Sequence, residues 1–166
     1  MTTGLPLTVE VLLWGLIATA AMTTIMEAAQ GLGWSRLSIP FLFGTFWTAE
    51  RHAAYFLGFI LFVAGGWGFA LLYYGVFVSL ERTSWWLGAA LGGLHGVFLL
   101  VAFLPLLPRV HPRMASEDDG PTVSRRLEPP GFLGLNYGWG TPLSTLAGMI
   151  VYGAILGAFL PLPGGG

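Results

Sequence analysis

The sequence predicts an all-α membrane protein with four transmembrane helices, and two observations lead to this fold class. The first is composition: 55% of the 166 residues are hydrophobic, 9% are charged, and the mean hydropathy is +0.74, whereas soluble domains carry about 25% charged residues. The second is that 52–80, 83–108 and 129–166 contain no Asp, Glu, Lys or Arg. Each stretch exceeds the roughly 20 residues that cross a bilayer as a helix, and none alternates like a barrel strand.

Missing residue types exclude several kinds of chemistry. The chain has no cysteine and no lysine, which excludes disulfides, thiolate metal sites, Schiff bases and a phosphate-binding lysine of the Walker type. The net charge of −1 gives no reason to expect a nucleic acid as partner.

The first helix is predicted at about 7–30, where the charges, Glu10 and Glu27, lie near the two ends. No basic residue precedes it, and the apolar run is longer than the core of a signal peptide, so we expect a retained helix. The second helix is predicted at about 53–80. A very short turn at about 81–83 follows, so the second and third helices are expected to be antiparallel neighbours.

The third helix is predicted at about 84–107, closed by Pro105 and Pro108 because proline disrupts helix interiors. The fourth is predicted at about 140–162. There Thr141 offers an N-cap, and the proline after it suits a first helical turn.

Two connections are long. The first, 34–51, has an apolar middle at 37–49 that is too short to span a bilayer. The second, 108–139, contains a polar insertion at about 109–126 and then, at 129–139, a segment rich in Gly, Pro and aromatic residues. We expect the two apolar segments to be interfacial or re-entrant, since irregular backbone at membrane depth must be covered by protein.

The arginines predict the orientation. One side holds only Arg82. The loops after helices one and three hold the others: Arg36, Arg51, Arg109, Arg113, Arg125 and Arg126. The positive-inside rule therefore places both long loops in the cytoplasm and both termini outside.

Two segments of the chain match each other. SRLSIPFLFG at 35–44 and RRLEPPGFLG at 125–134 share Arg, Leu, Pro and Gly at the same offsets. Short small-residue stretches in the helices match in the same order. We therefore predict a parallel 2+2 internal repeat, with repeat 1 at about 7–80 and repeat 2 at about 84–162, within a single transmembrane domain covering 1–166.

Small residues recur at four-residue spacing in three of the predicted helices. In lipid such residues let helix backbones approach closely. They therefore indicate a tightly packed bundle, or alternatively a face that docks onto a partner's helices or fits a flat cofactor. The residues are Gly88, Gly92, Gly96, Gly66, Ala70, Gly153 and Gly157.

His95 lies near the middle of the third helix, and an ionisable residue at that depth is a functional candidate. Under the repeat its counterpart is Met22, with Met26 one turn away, and a His/Met cluster would suit copper(I). The alternative is a neutral histidine bonded to a threonine or a carbonyl. Glu27 is a candidate for a proton path, or for an ion pair at the interface with an arginine such as Arg36 or Arg126.

Four arginines are predicted to lie at the interface or to contact lipid headgroups: Arg36, Arg126, Arg109 and Arg113. The first two occupy matching positions of the repeated motif, where they either bind anionic lipid or pair with carboxylates. The His-Pro-Arg-Met run from His111 is expected to end the third helix and anchor it to headgroups.

Three patterns resemble an uncharacterised family of small four-helix bacterial membrane proteins. They are G-x-x-A-T-A-x-M-T from Gly15, H-P-R-M after the third helix, and P-P-G-F-L-G-L-N-Y-G before the fourth. The resemblance extends to Phe159 and implies the four-helix architecture and a place in the cytoplasmic (inner) membrane of a bacterium, but no activity or catalytic residue comes with it.

We therefore expect a non-catalytic integral membrane subunit or scaffold, not an enzyme, that docks within a larger bacterial membrane complex, respiratory or photosynthetic. Its expected partners are other integral membrane proteins and lipids, with no cofactor, no metal and no nucleic acid. The alternative is a small homo-oligomeric transporter or channel with a site near His95.

Overall fold

The computed structural model describes residues 5–118 and 120–162, and within these ranges the chain is helical, without β-strands. Two long helices come first, separated by a short one, and two more long helices follow. A 3₁₀ segment, Phe132–Tyr137, precedes the last helix. The helices are α1 (Leu7–Gly31), α2 (Ile39–Thr45), α3 (Arg51–Ser79), α4 (Trp85–Val110) and α5 (Thr141–Phe159).

Helices α1, α3, α4 and α5 are each long and apolar enough to cross a membrane. This confirms the predicted helical fold with four helices that could span a membrane. Helix α2 has seven residues and is too short to span. Ser38 caps its N-terminus, where the hydroxyl accepts a hydrogen bond from the amide of Phe41 at 3.4 Å.

The sequence predicted that Pro105 and Pro108 end helix α4, and this prediction is wrong. The helix continues to Val110, and His111 is the first extended residue, with φ −80° and ψ 122°. A π-helical segment, Leu99–Phe103, lies directly before the first proline. This wider turn relieves the clash that a proline ring makes with the preceding helical turn, so the helix passes both prolines.

The chain divides into two compact units. Within the described residues, the first draws on 5–25, 63–96 and 146–162. In it α4 and α5 lie so close that a Cβ atom on Gly88 would overlap the carbonyl oxygen of Gly153. Likewise a Cβ on Gly92 would overlap the carbonyl oxygen of Met149. These glycines are needed for backbone-to-backbone contact.

In the same unit α1 packs on α3 through small residues. A Cβ on Gly66 would collide with the side chain of Thr19, and Ala70 is buried beside Gly15. Helices α3 and α5 are linked by Tyr152, whose hydroxyl donates to the carbonyl of Gly66 at 2.6 Å.

The second unit draws on residues 26–62 and 97–145. The backbone of Ala54, at the start of α3, leaves no room for a Cβ on Gly44 of α2, so α2 lies directly against α3. At the start of α5 the hydroxyls of Ser35 and Thr141 are 2.8 Å apart and buried. Gly138, with φ 122°, lets the chain pass close to the backbone of Trp34.

Candidate functional site

A cavity of about 240 Å³ lies within the second unit, between the segments before α2 and before the 3₁₀ segment. These are the two segments that carry the repeated Arg-Leu-x-x-Pro motif. Seven lining residues carry polar groups or aromatic rings: Gln30, Arg36, Ser38, Phe41, Tyr55, Glu128 and Tyr137. The cavity is therefore of mixed character, with both charges and rings in its walls.

An ion pair lines this cavity. Nη1 of Arg36 lies 3.0 Å from Oε2 of Glu128. Nη2 of Arg36 also donates to the carbonyl of Asn136 at 2.6 Å. The two charged side chains are 66% and 47% exposed, so the pair itself contributes only about 0–1 kcal/mol to stability. Both charges remain accessible.

Backbone hydrogen bonds fix the two charged residues in place. The amide of Arg36 donates to the carbonyl of Tyr137 at 2.6 Å. The hydroxyl of Tyr137 in turn donates to the carbonyl of Glu128 at 2.6 Å. Burial, aided by the charge of Glu128, raises the pKa of Tyr137 well above its usual value, so this hydroxyl keeps the proton that it donates.

The aromatic wall comes from α2 and α3. The rings of Phe41 and Tyr55 are 4.7 Å apart between centroids, tilted by 33°. The guanidinium carbon of Arg51 lies 6.0 Å from the centroid of the Tyr55 ring, at the limit of a cation–π contact. Tyr55 therefore has one ring neighbour and one cationic neighbour already.

The His-Pro-Arg-Met run from His111 holds α2 in place through hydrogen bonds. Nη1 of Arg113 donates to the carbonyls of Thr45 and Phe46 at 2.6 and 3.0 Å, at the negative end of the helix dipole. Arg113 thus contacts protein carbonyls at the position where the sequence predicted headgroup contact.

His111 is completely buried. Its Nδ1 accepts from the amide of Arg113 at 3.1 Å, so Nε2 carries the proton and faces the carbonyl of Leu42 at 3.2 Å and the hydroxyl of Thr45 at 3.1 Å. Burial, with smaller effects from nearby arginines, lowers the pKa of His111. The imidazole is neutral and serves as a fixed hydrogen-bonding link between α4 and α2.

His95 lies in the first unit and contacts α3. Its Nδ1 is 3.3 Å from the hydroxyl of Tyr73, and its ring centroid is 4.2 Å from that of Phe69. Its Nε2 is buried with no hydrogen-bond partner among the described residues. The hydrogen bond goes to a tyrosine, not to the threonine or carbonyl that the sequence suggested.

The remaining candidates are two methionines and a glutamate of α1. Met22 and Met26 are buried. Glu27 is exposed, and Arg36, one of its predicted partners, pairs with Glu128 instead. Within residues 5–118 and 120–162, no three His, Asp or Glu side chains form a cluster suited to a metal.

Arg109 is exposed near the end of α4. Arg126 is also exposed, and its Nε donates to the carbonyl of Val123 at 3.0 Å. The two arginines of the repeated motif therefore differ: among residues 5–118 and 120–162, Arg36 forms an ion pair and Arg126 does not.

Sequence reasoning found Arg36 but missed the rest of the cavity. Glu128 lies two residues after Arg126, inside the second motif, and the matching position in the first motif is Ser38. This difference between the two copies was the available signal. Phe41 and Tyr55 gave none, because aromatic residues are common throughout the chain.

Comparison of the chain with family models, with curated proteins and with solved structures finds no match. The site is therefore interpreted from its own residues and geometry.

Proposed function

We propose that the protein is a non-catalytic integral membrane subunit that docks by a helix face onto another integral membrane protein of a bacterial inner-membrane complex. The observation that carries this proposal is the outward face of α3. Gly65, Gly68 and Gly75 are exposed, and a Cβ atom on any of them would meet nothing within 4 Å. Their spacing places them along one side of the helix.

These three glycines are not needed for close packing against the described part of the chain. Glycine weakens a helix by about 1 kcal/mol relative to alanine, and a helix facing only lipid gains no packing in return. Small residues in membranes are enriched where another helix approaches. The seven small residues that the sequence singled out are engaged with the chain's own helices, whereas these three leave a shallow groove open for a partner's transmembrane helix.

A second candidate function, a homo-oligomeric transporter or channel, is favoured by one observation. The unpartnered Nε2 of His95 is a buried polar atom of the kind that marks pathways inside membranes. Against it, the neighbours of His95 are the aromatic residues Tyr73 and Phe69, which provide a single hydroxyl. The subunit role explains the three exposed glycines of α3, which the transporter role does not, and we therefore favour it.

The proposal includes the parallel 2+2 repeat and the orientation. In support of the repeat, both matched motifs lead into a short helical segment, α2 in the first copy and Phe132–Tyr137 in the second. The orientation, with loops 1 and 3 cytoplasmic and both termini outside, rests on six of the seven arginines being in those loops.

Purification from native membranes in a gentle detergent tests the subunit role. We expect a large assembly with other subunits in fixed stoichiometry, measured by native mass spectrometry. Gly68→Leu, which fills the groove, should release the protein from the assembly. Gly31→Leu, at the end of α1 where a side chain also meets nothing within 4 Å, should leave it bound.

A wild-type protein that purifies only as a small homo-oligomer would refute the subunit role. In that case His95→Ala becomes the next variant, with loss of solute flux in proteoliposomes as the result that supports a transporter.

A further inference from the structure

The cavity of the second unit lies at the level of the span ends. Gln30 is the last residue but one of α1, and Tyr55 is the fifth residue of α3. Both helices are candidate membrane spans, so their ends lie where the hydrocarbon core gives way to headgroups. Exposed Trp34 and Trp139, with ring centroids 5.6 Å apart, belong to the same unit and suit the same depth.

The two charges that line the cavity indicate which class of ligand it would bind. Arg36 and Glu128 face it together, so the lining carries one positive and one negative charge. A purely anionic headgroup would meet the Glu128 carboxylate as well as the guanidinium. A ligand with one anionic and one cationic group can instead replace the exposed ion pair with two complementary contacts.

The other walls fit the rest of such a molecule. The rings of Phe41 and Tyr55 provide an apolar surface for a glycerol backbone and the first methylenes of acyl chains. The Gln30 amide can donate to phosphate or ester oxygens. The cavity, at about 240 Å³, is below the range of about 300–1,000 Å³ typical of drug-sized ligands, and suits a headgroup whose chains remain outside.

We propose that this cavity binds the headgroup of a zwitterionic phospholipid, with Arg36 contacting the phosphate and Glu128 contacting the ammonium group. The arginine alone is a common feature of lipid-facing loops. The carboxylate 3.0 Å from it is what selects a zwitterion over an anionic lipid. This inference is independent of the proposed docking role.

The test is a lipid titration of delipidated full-length protein in detergent, measured by native mass spectrometry. The probes are short-chain phosphatidylethanolamine and phosphatidylglycerol with identical acyl chains. We expect the wild type to prefer phosphatidylethanolamine, and Arg36→Gln to weaken binding of both lipids by about tenfold, the loss of one charge-assisted contact. Arg82→Gln, which changes an exposed arginine that does not line the cavity, should change neither affinity.

Glu128→Gln is the most informative variant. It should bind phosphatidylglycerol more tightly than the wild type does, so that phosphatidylglycerol becomes the preferred lipid. A gain of affinity for one lipid cannot arise from a protein that fails to fold. Equal binding of both lipids by the wild type, or an unchanged preference in Glu128→Gln, would overturn the proposal. Displacement of the lipid by free phosphoethanolamine at equal concentration would also overturn it, since the site would then belong to a soluble ligand.

Discussion

The contact between α4 and α5 makes the sharpest prediction about stability. A Cβ atom on Gly153 would overlap the carbonyl oxygen of Gly88 and lie 2.9 Å from its carbonyl carbon. Ordinary contacts of this kind are 3.4–4 Å. The overlap with the oxygen is the larger of the two, so Gly153→Ala must push the two backbones apart by about 1 Å, and neither backbone can move aside as a flexible side chain would.

The magnitude follows from that displacement. A gap of about 0.5–1 Å forfeits a quarter to a half of each dispersion contact along the interface, and overpacking of this kind costs about 1–3 kcal/mol. Gly65→Ala is the matched control on α3, because nothing lies within 4 Å of the new methyl group. Both substitutions gain the same helix propensity of up to about 1 kcal/mol, so the two variants should differ by the overpacking cost alone, about 1–3 kcal/mol.

The assay is equilibrium unfolding of the purified protein in mixed micelles of increasing SDS fraction, followed by far-UV circular dichroism. We expect Gly153→Ala to unfold at a lower SDS fraction than the wild type, and Gly65→Ala at the same or a higher one. A Gly153→Ala variant as stable as Gly65→Ala would refute the close approach of α4 and α5.

Three further predictions concern single hydrogen-bonded groups. Burial lowers the pKa of His111, so the unfolded state binds a proton more readily than the folded state as the pH falls. The protein should therefore keep its full free energy of unfolding above about pH 6.5 and lose part of it below that pH. His111→Gln should flatten this pH dependence in thermal unfolding. Arg113→Gln removes two carbonyl contacts at the end of α2, at Thr45 and the next residue, and should cost about 1–2 kcal/mol in SDS unfolding; an unchanged midpoint would contradict the capping role. Tyr152→Phe leaves the carbonyl of Gly66 without its 2.6 Å donor and should cost about 1 kcal/mol, whereas wild-type stability would mean that the bond contributes nothing.

The spans were predictable because they depend on a local property, about 20 residues without charge. Their ends were less so. Helix α3 begins at Arg51, two residues before the predicted start, because the Glu50 carboxylate accepts hydrogen bonds from the amides of His52 and Ala53 at 2.8 and 2.6 Å. These bonds lower the pKa of Glu50. Glutamate is not among the usual N-cap residues, so the pattern gave no signal.

The site was predictable only in part, for a different reason. Arg36 stands out within its motif, but its partner Glu128 is 92 positions away, and a pairing over that distance depends on the tertiary fold. The role of Arg113 was missed likewise, since α2, whose carbonyls it contacts, lies 68 positions earlier. Local sequence shows which residues are chemically able to interact, whereas the fold decides which of them meet.

The two matched segments differ at one position that bears on the proposed headgroup preference of the cavity. At one position the first segment has Ser38, which caps α2 through the Phe41 amide, and the second has Glu128, which meets Arg36. Had the second segment kept a serine, the ion pair would be missing and the cavity would present Arg36 without a neighbouring carboxylate, which favours anionic ligands. The carboxylate makes the lining neutral overall, so the difference between the two segments, not their similarity, determines which headgroup fits.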